Sequence, residues 1–157
     1  MTPTIRELTD ADWPLWRRLR LAALAEAPHA FKSSLADWHN GAEQRWRIRF
    51  EDPTTHNVAV LIDHQPVGMA SGVPAEGSVV ELRSLWVSPP ARGQGVAPMI
   101  VAAIETWARS RHATTLRLSV LPGNRTAIAL YDQLGFGLVA AVADGSTSEL
   151  VMQKRLD

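Results

Sequence analysis

The sequence of 157 residues contains no cysteine, which excludes disulfides, thiolate metal ligands and a thiol nucleophile. It also lacks an excess of charge of either sign, since 16 basic residues balance 16 acidic ones. The broad basic footprint of a nucleic-acid-binding or membrane-surface protein is therefore not expected, although a local basic patch stays possible. No apolar run approaches the ~20 residues that span a bilayer, and the N-terminus lacks the apolar core of a signal peptide. We expect a cytoplasmic protein.

The five histidines include no pair at the i, i+3 or i, i+4 spacing typical of helical metal ligands, so we predict no bound metal. Apolar residues make up 46% of the chain, which favours a folded protein over a disordered one. The length suits a single domain over residues 1–157, and no repeat or linker-like stretch divides it.

Hydrophobic periodicity predicts a mixture of helices and strands. Alternating or β-prone segments predict strands at 4–8, 57–62, 67–73, 79–87, 116–120, 136–143 and 149–154. Helical spacing predicts helices at 10–26, 42–50, 98–111 and 125–134. The order of these elements indicates an α/β domain with a mixed sheet, in which two strands are each followed by a helix.

A glycine-containing turn connects the strand that ends at Val87 to the following helix. Its sequence is Arg92-Gly93-Gln94-Gly95-Val96-Ala97. Glycines allow close approach of the backbone to a ligand, and the free amides at a helix start attract anions. The alternative is an ordinary glycine turn that only starts a helix. The dinucleotide-binding and Walker patterns are both absent, so the phosphate carrier is expected to be neither a nicotinamide nor a nucleoside triphosphate.

A second motif, Asn124-x-x-Ala127-x-x-Leu130-Tyr131-x-x-x-Gly135-Phe136, follows the next predicted strand. Together with Arg92-x-x-Gly95-x-Ala97 it resembles the GCN5-related N-acetyltransferase (GNAT) superfamily over essentially the whole chain. The resemblance implies a GNAT fold: a mixed, mostly antiparallel central sheet of about seven strands with a splayed strand pair, flanked by about four helices. It also implies acetyl-CoA as the acyl-donor cosubstrate.

The resemblance implies where acetyl-CoA binds. Backbone groups of Leu85, Trp86 and Val87 are expected to bond the pantetheine arm, and Asn124 to meet the same arm, although Asn124 equally suits a helix cap. The pyrophosphate is expected on the turn and first helical residues, which are Arg92, Gly93, Gln94, Gly95, Val96, Ala97 and Pro98. Ala97 stands where the family commonly has a glycine.

Two residues are candidates for catalysis. Tyr131 matches the family's general acid, and a phenol retains its proton at neutral pH for transfer to a leaving thiolate. The alternative is a core aromatic residue. Glu81 falls where several members carry a general base, but Arg83 lies on the same face of the strand, so a salt bridge is an equal alternative. Ser119 stands where ribosomal-protein acetyltransferases of the family carry a glutamate.

The N-terminal third is rich in aromatic residues and is the region from which the family builds its acceptor pocket. Phe31, Asp37 and Trp38 are the predicted substrate-binding residues, since an aromatic wall with a carboxylate suits a cationic amine. We therefore expect an N-acetyltransferase that acetylates a primary amine of a small molecule by direct attack in a ternary complex. A protein or peptide acetyltransferase and a non-catalytic acyl-CoA-binding module are the alternatives. The protein is expected to be a monomer or homodimer without nucleic-acid or membrane partners.

Overall fold

The computed structural model describes residues 2–26, 43–144 and 147–156. Seven strands lie in these ranges: β1 (Thr4–Glu7), β2 (His56–Ile62), β3 (Gln65–Pro74), β4 (Val79–Val87), β5 (Thr115–Val120), β6 (Gly137–Asp144) and β7 (Thr147–Arg155). The α-helices are α1 (Trp13–Glu26), α2 (Glu43–Arg47), α3 (Val96–Ser110) and α4 (Arg125–Gln133). Single 3-10 turns lie at Asp10–Asp12, Ile48–Phe50 and Pro89–Ala91. No helix in these ranges has the length and apolar content to cross a membrane.

The strands form one sheet in the order β1-β2-β3-β4-β5-β7-β6. The β4–β5 pair is parallel, and the other paired strands of the described ranges are antiparallel. The predicted seven-stranded, mostly antiparallel GNAT sheet is confirmed. The expected number of flanking helices was too high: three helices longer than two turns are described. Of the predicted helix over 42–50, the described residues 43–50 contain the five α-helical residues of α2, followed by a 3-10 turn.

Helices pack on both faces of the sheet. On one face α3 buries Ile100 and Ile104 completely against β-strand residues that include Val60. On the other face α1 buries Trp16 and Leu19. Fully burying a large apolar side chain of this kind contributes about 1.5–3 kcal/mol. These two packed layers hold the central strands β3 and β4 in place.

A bulge in β4 reverses the side-chain alternation along that strand. Ser71 of β3 lies opposite Arg83, whereas Met69, two residues away, lies opposite Trp86, so β4 contains one extra residue. Ser84, inside the bulge, has a φ of 59°, which is unusual for a residue other than glycine. An extra residue exchanges the two faces of a strand. As a result Leu82 and Val87 both face α3, while Trp86 joins the cluster under α1.

β4 and β5 separate along their length. Their parallel pairing runs from Val79 with Thr115 to Glu81 with Arg117 and then ends. β4 nevertheless continues to Val87, and β5 continues to Val120 paired with β7 on its other side. The carboxyl-terminal half of β4 therefore has an open edge toward β5. This gap is the splayed strand pair that the family resemblance implies.

Candidate functional site

The turn after β4 presents unpaired amides at the start of α3. Gly93 and Gly95 both have a φ of 80°, and Gly95 is the N-cap of the helix. The first intrahelical hydrogen bond runs from the Met99 amide to the Gly95 carbonyl at 3.2 Å. The amides before Met99 therefore have no intrahelical partner. The positive end of the helix dipole makes this turn suitable for a phosphate group.

The residues of this turn differ in what they offer an anion. Val96 and Ala97 supply amides, whereas Pro98 has no N–H and fits here because the first helical turn needs none. Gln94 points back into the loop and donates from Nε2 to the Pro90 carbonyl at 3.0 Å. The contacts of Gln94, Val96, Ala97 and Pro98 with a pyrophosphate remain predictions.

Arg92, a predicted phosphate ligand, bonds two protein groups. Its Nε donates to the Val87 carbonyl at 3.0 Å, and its guanidinium forms an ion pair with Glu26 at the end of α1. Glu26 also accepts a hydrogen bond from the indole of Trp86 at 3.1 Å. Glu26 was not identified from the sequence, because its contacts come from β4 and from the turn. It links α1 to both segments that are predicted to hold the cofactor.

Tyr131, the predicted general acid, lies on α4 inside the core cluster that faces α3. It is 9% exposed, and its ring packs edge-on against Phe136 with 5.7 Å between centroids. The same cluster contains Val87 of β4 and Val120 of β5, which are the terminal residues of the two strands that separate. Burial raises the pKa of the Tyr131 hydroxyl to about 12, so this group holds its proton across the neutral range.

Asn124 caps α4 directly after β5. Its side-chain oxygen accepts a hydrogen bond from the Ala127 amide at 3.3 Å. The capping role is therefore observed, and the predicted contact with the pantetheine arm is compatible with it because an amide side chain has further hydrogen-bonding groups.

Glu81, the predicted base, pairs with two arginines at the point where β4 and β5 part. It accepts from Arg83 Nε at 3.0 Å and from an Arg117 Nη at 2.8 Å. Arg117 also pairs with Glu76 at 2.6 Å. Burial by itself raises the pKa of Glu81, but the hydrogen bonds from Arg117 and Arg83 outweigh it, and the net pKa is below the ordinary value. The anticipated pair with Arg83 is present, and Arg117 is an additional partner.

A cavity of about 300 Å³ opens on the α1 face of the sheet. Its lining includes two tryptophans, three arginines and one aspartate, namely Trp16, Trp46, Arg20, Arg49, Arg83 and Asp52. These side chains come from α1, the α2 region and β4, so the sequence does not show that they meet. It shows only that the α2 region is rich in Arg and Trp. The predicted substrate-binding residues Phe31, Asp37 and Trp38 lie outside the described residues.

A protein-family profile for the acetyltransferase (GNAT) family matches residues 5–136 of the chain. The match covers both glycine-containing motifs and the two splayed strands, β4 and β5. The chain belongs to the acetyltransferase (GNAT) family.

The individual relatives either have low sequence identity to this chain or match only a part of it. Mycothiol acetyltransferase of Renibacterium salmoninarum is 26% identical over 132 residues, which are 81% of this chain and 38% of that protein. Thialysine N-epsilon-acetyltransferase of Bos taurus is 35% identical over 60 residues, 38% of this chain and 35% of that protein. The chain thus spans little more than a third of the length of the curated relatives it matches.

Among solved structures, a ribosomal-protein-alanine N-acetyltransferase from Brucella melitensis is 27% identical with a TM-score of 0.76 over 98% of this chain and 99% of that one. A PaiA N-acetyltransferase from Thermoplasma acidophilum, solved in complex with coenzyme A, has a TM-score of 0.79 at 16% identity over 99% of both chains. The latter similarity concerns the fold alone.

Proposed function

We propose that the protein transfers an acetyl group from acetyl-CoA to a primary amine of a small molecule, by direct attack in a ternary complex. The observation that carries the proposal is the gap between β4 and β5 beside the start of α3. Pairing of the two strands ends at Glu81 and Arg117, while the glycine turn places unpaired amides directly after the open half of β4. An extended arm with a pyrophosphate at one end matches this arrangement.

The binding residues have distinct parts in this proposal. Acetyl-CoA supplies the activated acetyl group. The amides of Val96 and Ala97 would hold the pyrophosphate, and the open backbone edge from Leu85 to Val87 would bond the pantetheine amides. This positioning of thioester and amine supplies most of the rate enhancement, because holding two reactants in line converts a bimolecular step into an effectively unimolecular one.

Two side chains would move protons. The Tyr131 hydroxyl donates its proton to the departing thiolate, and its raised pKa keeps that proton available. Glu81 would accept the proton of the amine, directly or through water. Its lowered pKa makes it a carboxylate at neutral pH but a weaker proton acceptor. In the same way, the raised pKa keeps Tyr131 protonated but makes it a weaker proton donor, so the surroundings of the two residues favour neither role over the other.

A protein or peptide acceptor is the second candidate, because the Brucella structure is that of a ribosomal-protein-alanine N-acetyltransferase. Two features favour a small molecule. The cavity of about 300 Å³ is at the lower end of the range for small-molecule sites, and Ser119 stands where the ribosomal enzymes are expected to carry a glutamate. A non-catalytic acyl-CoA-binding module is the remaining alternative. A cytoplasmic location stays a prediction of the sequence.

Thiol release from acetyl-CoA, measured with a panel of small amines and N-terminal peptides, tests the function. We expect release with at least one small amine, and a product heavier by one acetyl group. Release only with peptides would support the second candidate. Binding of acetyl-CoA without release by any amine would support the binding module, and absence of acetyl-CoA binding would contradict all three.

A further inference from the structure

The cavity on the α1 face carries a concentration of positive charge. Arg20 comes from α1, Arg49 from the 3-10 turn after α2, and Arg83 from β4. Trp16 and Trp46, which line the same cavity, belong to the cluster that contains Trp86. The arginines therefore lie on the sheet face next to the segment of β4 that is predicted to bond the pantetheine arm of acetyl-CoA.

Arg49 is held in a defined orientation. Its Nη1 donates to the hydroxyl of Ser71 at 3.0 Å, and Ser71 in turn donates to the side-chain oxygen of Asn57 at 2.7 Å. Ser71 is fully buried and Asn57 is 3% exposed. The guanidinium carbon also lies 4.6 Å from the ring centroid of Trp16, a favourable cation–π distance. A buried polar pair and an aromatic ring thus fix the direction in which this guanidinium faces.

The surroundings of Arg49 disfavour its charge. Burial, together with repulsion from Arg20 and Arg83, lowers the pKa of Arg49 to about 10. Asp52 is the acidic residue in the described lining, and its carboxylate is bonded by the amide and hydroxyl of Thr54 at 2.8 and 2.6 Å. Glu81, outside the lining, pairs with Arg83, whereas the polar partner given above for Arg49 is the uncharged hydroxyl of Ser71. A desolvated cation beside other cations is costly unless an anion accompanies it.

We propose that the acceptor carries a carboxylate in addition to its amine, and that Arg49, assisted by Arg83 and Arg20, binds this carboxylate. The inference rests on the proposed acetyl transfer and names the class of its acceptor. Arginine suits this role because its planar guanidinium binds a carboxylate through two parallel N–H groups.

The register of β3 gives the spacing between carboxylate and amine. Ser71, which orients Arg49, is two residues from Met69, the partner of Trp86. Two strand residues span about 7 Å. A carboxylate at Arg49 would therefore place the amine near Trp86 when several methylene groups separate the two groups. 6-Aminohexanoate has such a spacing, and 6-aminohexanamide is the matched compound without the charge.

The experiment compares thiol release for these two amines in the wild type, Arg49→Gln, Arg83→Gln and Arg18→Gln. Arg18 is on α1 outside the cavity lining and bonds Gln65, so Arg18→Gln controls for the loss of one positive charge. We expect kcat/KM for the carboxylate to exceed that for the carboxamide by about ten- to hundredfold in the wild type, as for a charged hydrogen bond. Arg49→Gln should abolish this preference, Arg83→Gln should reduce it, and Arg18→Gln should retain it. The KM for acetyl-CoA should not change.

Direct binding of 6-aminohexanoate, measured by calorimetry without acetyl-CoA, separates the two proposals. Equal binding by wild type and Arg49→Gln, or equal turnover of acid and amide, would overturn the carboxylate assignment while leaving acetyl transfer intact. Stronger turnover of the matching phosphonate would also overturn it, in favour of a phosphate-like acceptor. If acetyl-CoA binds but no amine causes the release of CoA, the proposed acetyl transfer is contradicted. The calorimetric comparison of wild type and Arg49→Gln still tests the carboxylate site in that case. Arg83→Gln keeps the test valid if Arg49→Gln does not fold, because Arg83 is exposed.

Discussion

Glu81 joins β4 to β5 at the last residue pair before the strands separate, through Arg117. Its side chain is 22% exposed, whereas that of Glu76, the other partner of Arg117, is 75% exposed. Hydrogen bonds between charged groups gain strength when they are shielded from water. Glu81 therefore contributes to the stability of the splay point, in addition to any part it has in proton transfer.

We predict that Glu81→Gln destabilises the protein by about 1–3 kcal/mol near neutral pH, because Arg83 loses its carboxylate and Arg117 keeps only that of the exposed Glu76. The lowered pKa of Glu81 means that this stability is fully present above the ordinary glutamate value of 4.5 and is lost as the pH falls through the lower folded-state pKa. Urea unfolding at several pH values measures the difference.

Glu76→Gln is the matched control, since it removes a carboxylate from the same Arg117 at an exposed position and should destabilise the protein less. Equal effects of the two substitutions would contradict a special role for Glu81 at the splay point. The catalytic role of Glu81 is tested separately by kcat. An unchanged kcat in Glu81→Gln would show that Glu81 acts only in the ion pair.

Tyr131→Phe should lower kcat by about 10²- to 10⁴-fold, the usual contribution of a general acid, with little change in the dissociation constant of acetyl-CoA. Because burial raises the pKa of Tyr131 to about 12, its deprotonation should not reduce wild-type activity at any pH below about 10. Stopped assays across this pH range and calorimetry with acetyl-CoA give both quantities. Turnover by Tyr131→Phe equal to the wild type would show that Tyr131 is a core aromatic residue only.

At the scale of the elements, β4 and α3 form one unit. The bulge at Ser84 turns Trp86 toward α1 and Val87 toward α3, and the glycine turn then starts the helix. At Gly95 the turn requires a positive φ, while space for a Cβ is free. A side chain at Gly95 would therefore add backbone strain without any steric clash.

We predict that Gly95→Ala weakens acetyl-CoA binding by about tenfold, because the left-handed conformation costs an L-residue about 1–2 kcal/mol. A relaxed turn would displace the amides that face the pyrophosphate. Calorimetry gives the dissociation constant, and Gly137→Ala is the control, since that glycine also has free space and needs no positive φ. Affinity and stability equal to those of the Gly137 variant would rule out this role for the turn.

At the scale of the whole molecule, the gap divides the sheet into two groups of strands. β1 to β4 lie on one side and β5, β7 and β6 on the other, joined by only the three pairs from Val79 to Glu81. A ligand arm in the gap would supply backbone partners to both groups. Binding should therefore stabilise the whole fold as well as the turn.

We predict that CoA at a hundred times its dissociation constant stabilises the protein by about 2.7 kcal/mol, which raises Tm by roughly 5–10 °C for a chain of this size. Pantetheine at the same concentration lacks the pyrophosphate and should protect less. Thermal unfolding followed by circular dichroism measures both shifts. Equal protection by the two compounds would show that the turn at Gly95 does not hold a pyrophosphate.

The elements themselves were largely predictable from local patterns. The β-prone residues of Val79 to Val87 predict β4 with the bounds that the structure shows, and Asn124 is recognisable as a cap from its type and position. The start of α3 was predicted at Pro98, two residues late, because Val96 and Ala97 read as part of the turn. The bulge at Ser84 was not predictable, since it depends on how β3 pairs with β4.

The sequence by itself determined the family, the glycine turn and the candidate acid, because each depends on residues close together in the chain. Only the tertiary structure decided the second partner of Glu81, the ion pair of Arg92 with Glu26, and the meeting of Arg20, Arg49 and Arg83 in one cavity. The physical reason is that these contacts join side chains from distant segments. Their energies depend on burial and on strand register, which no local pattern contains.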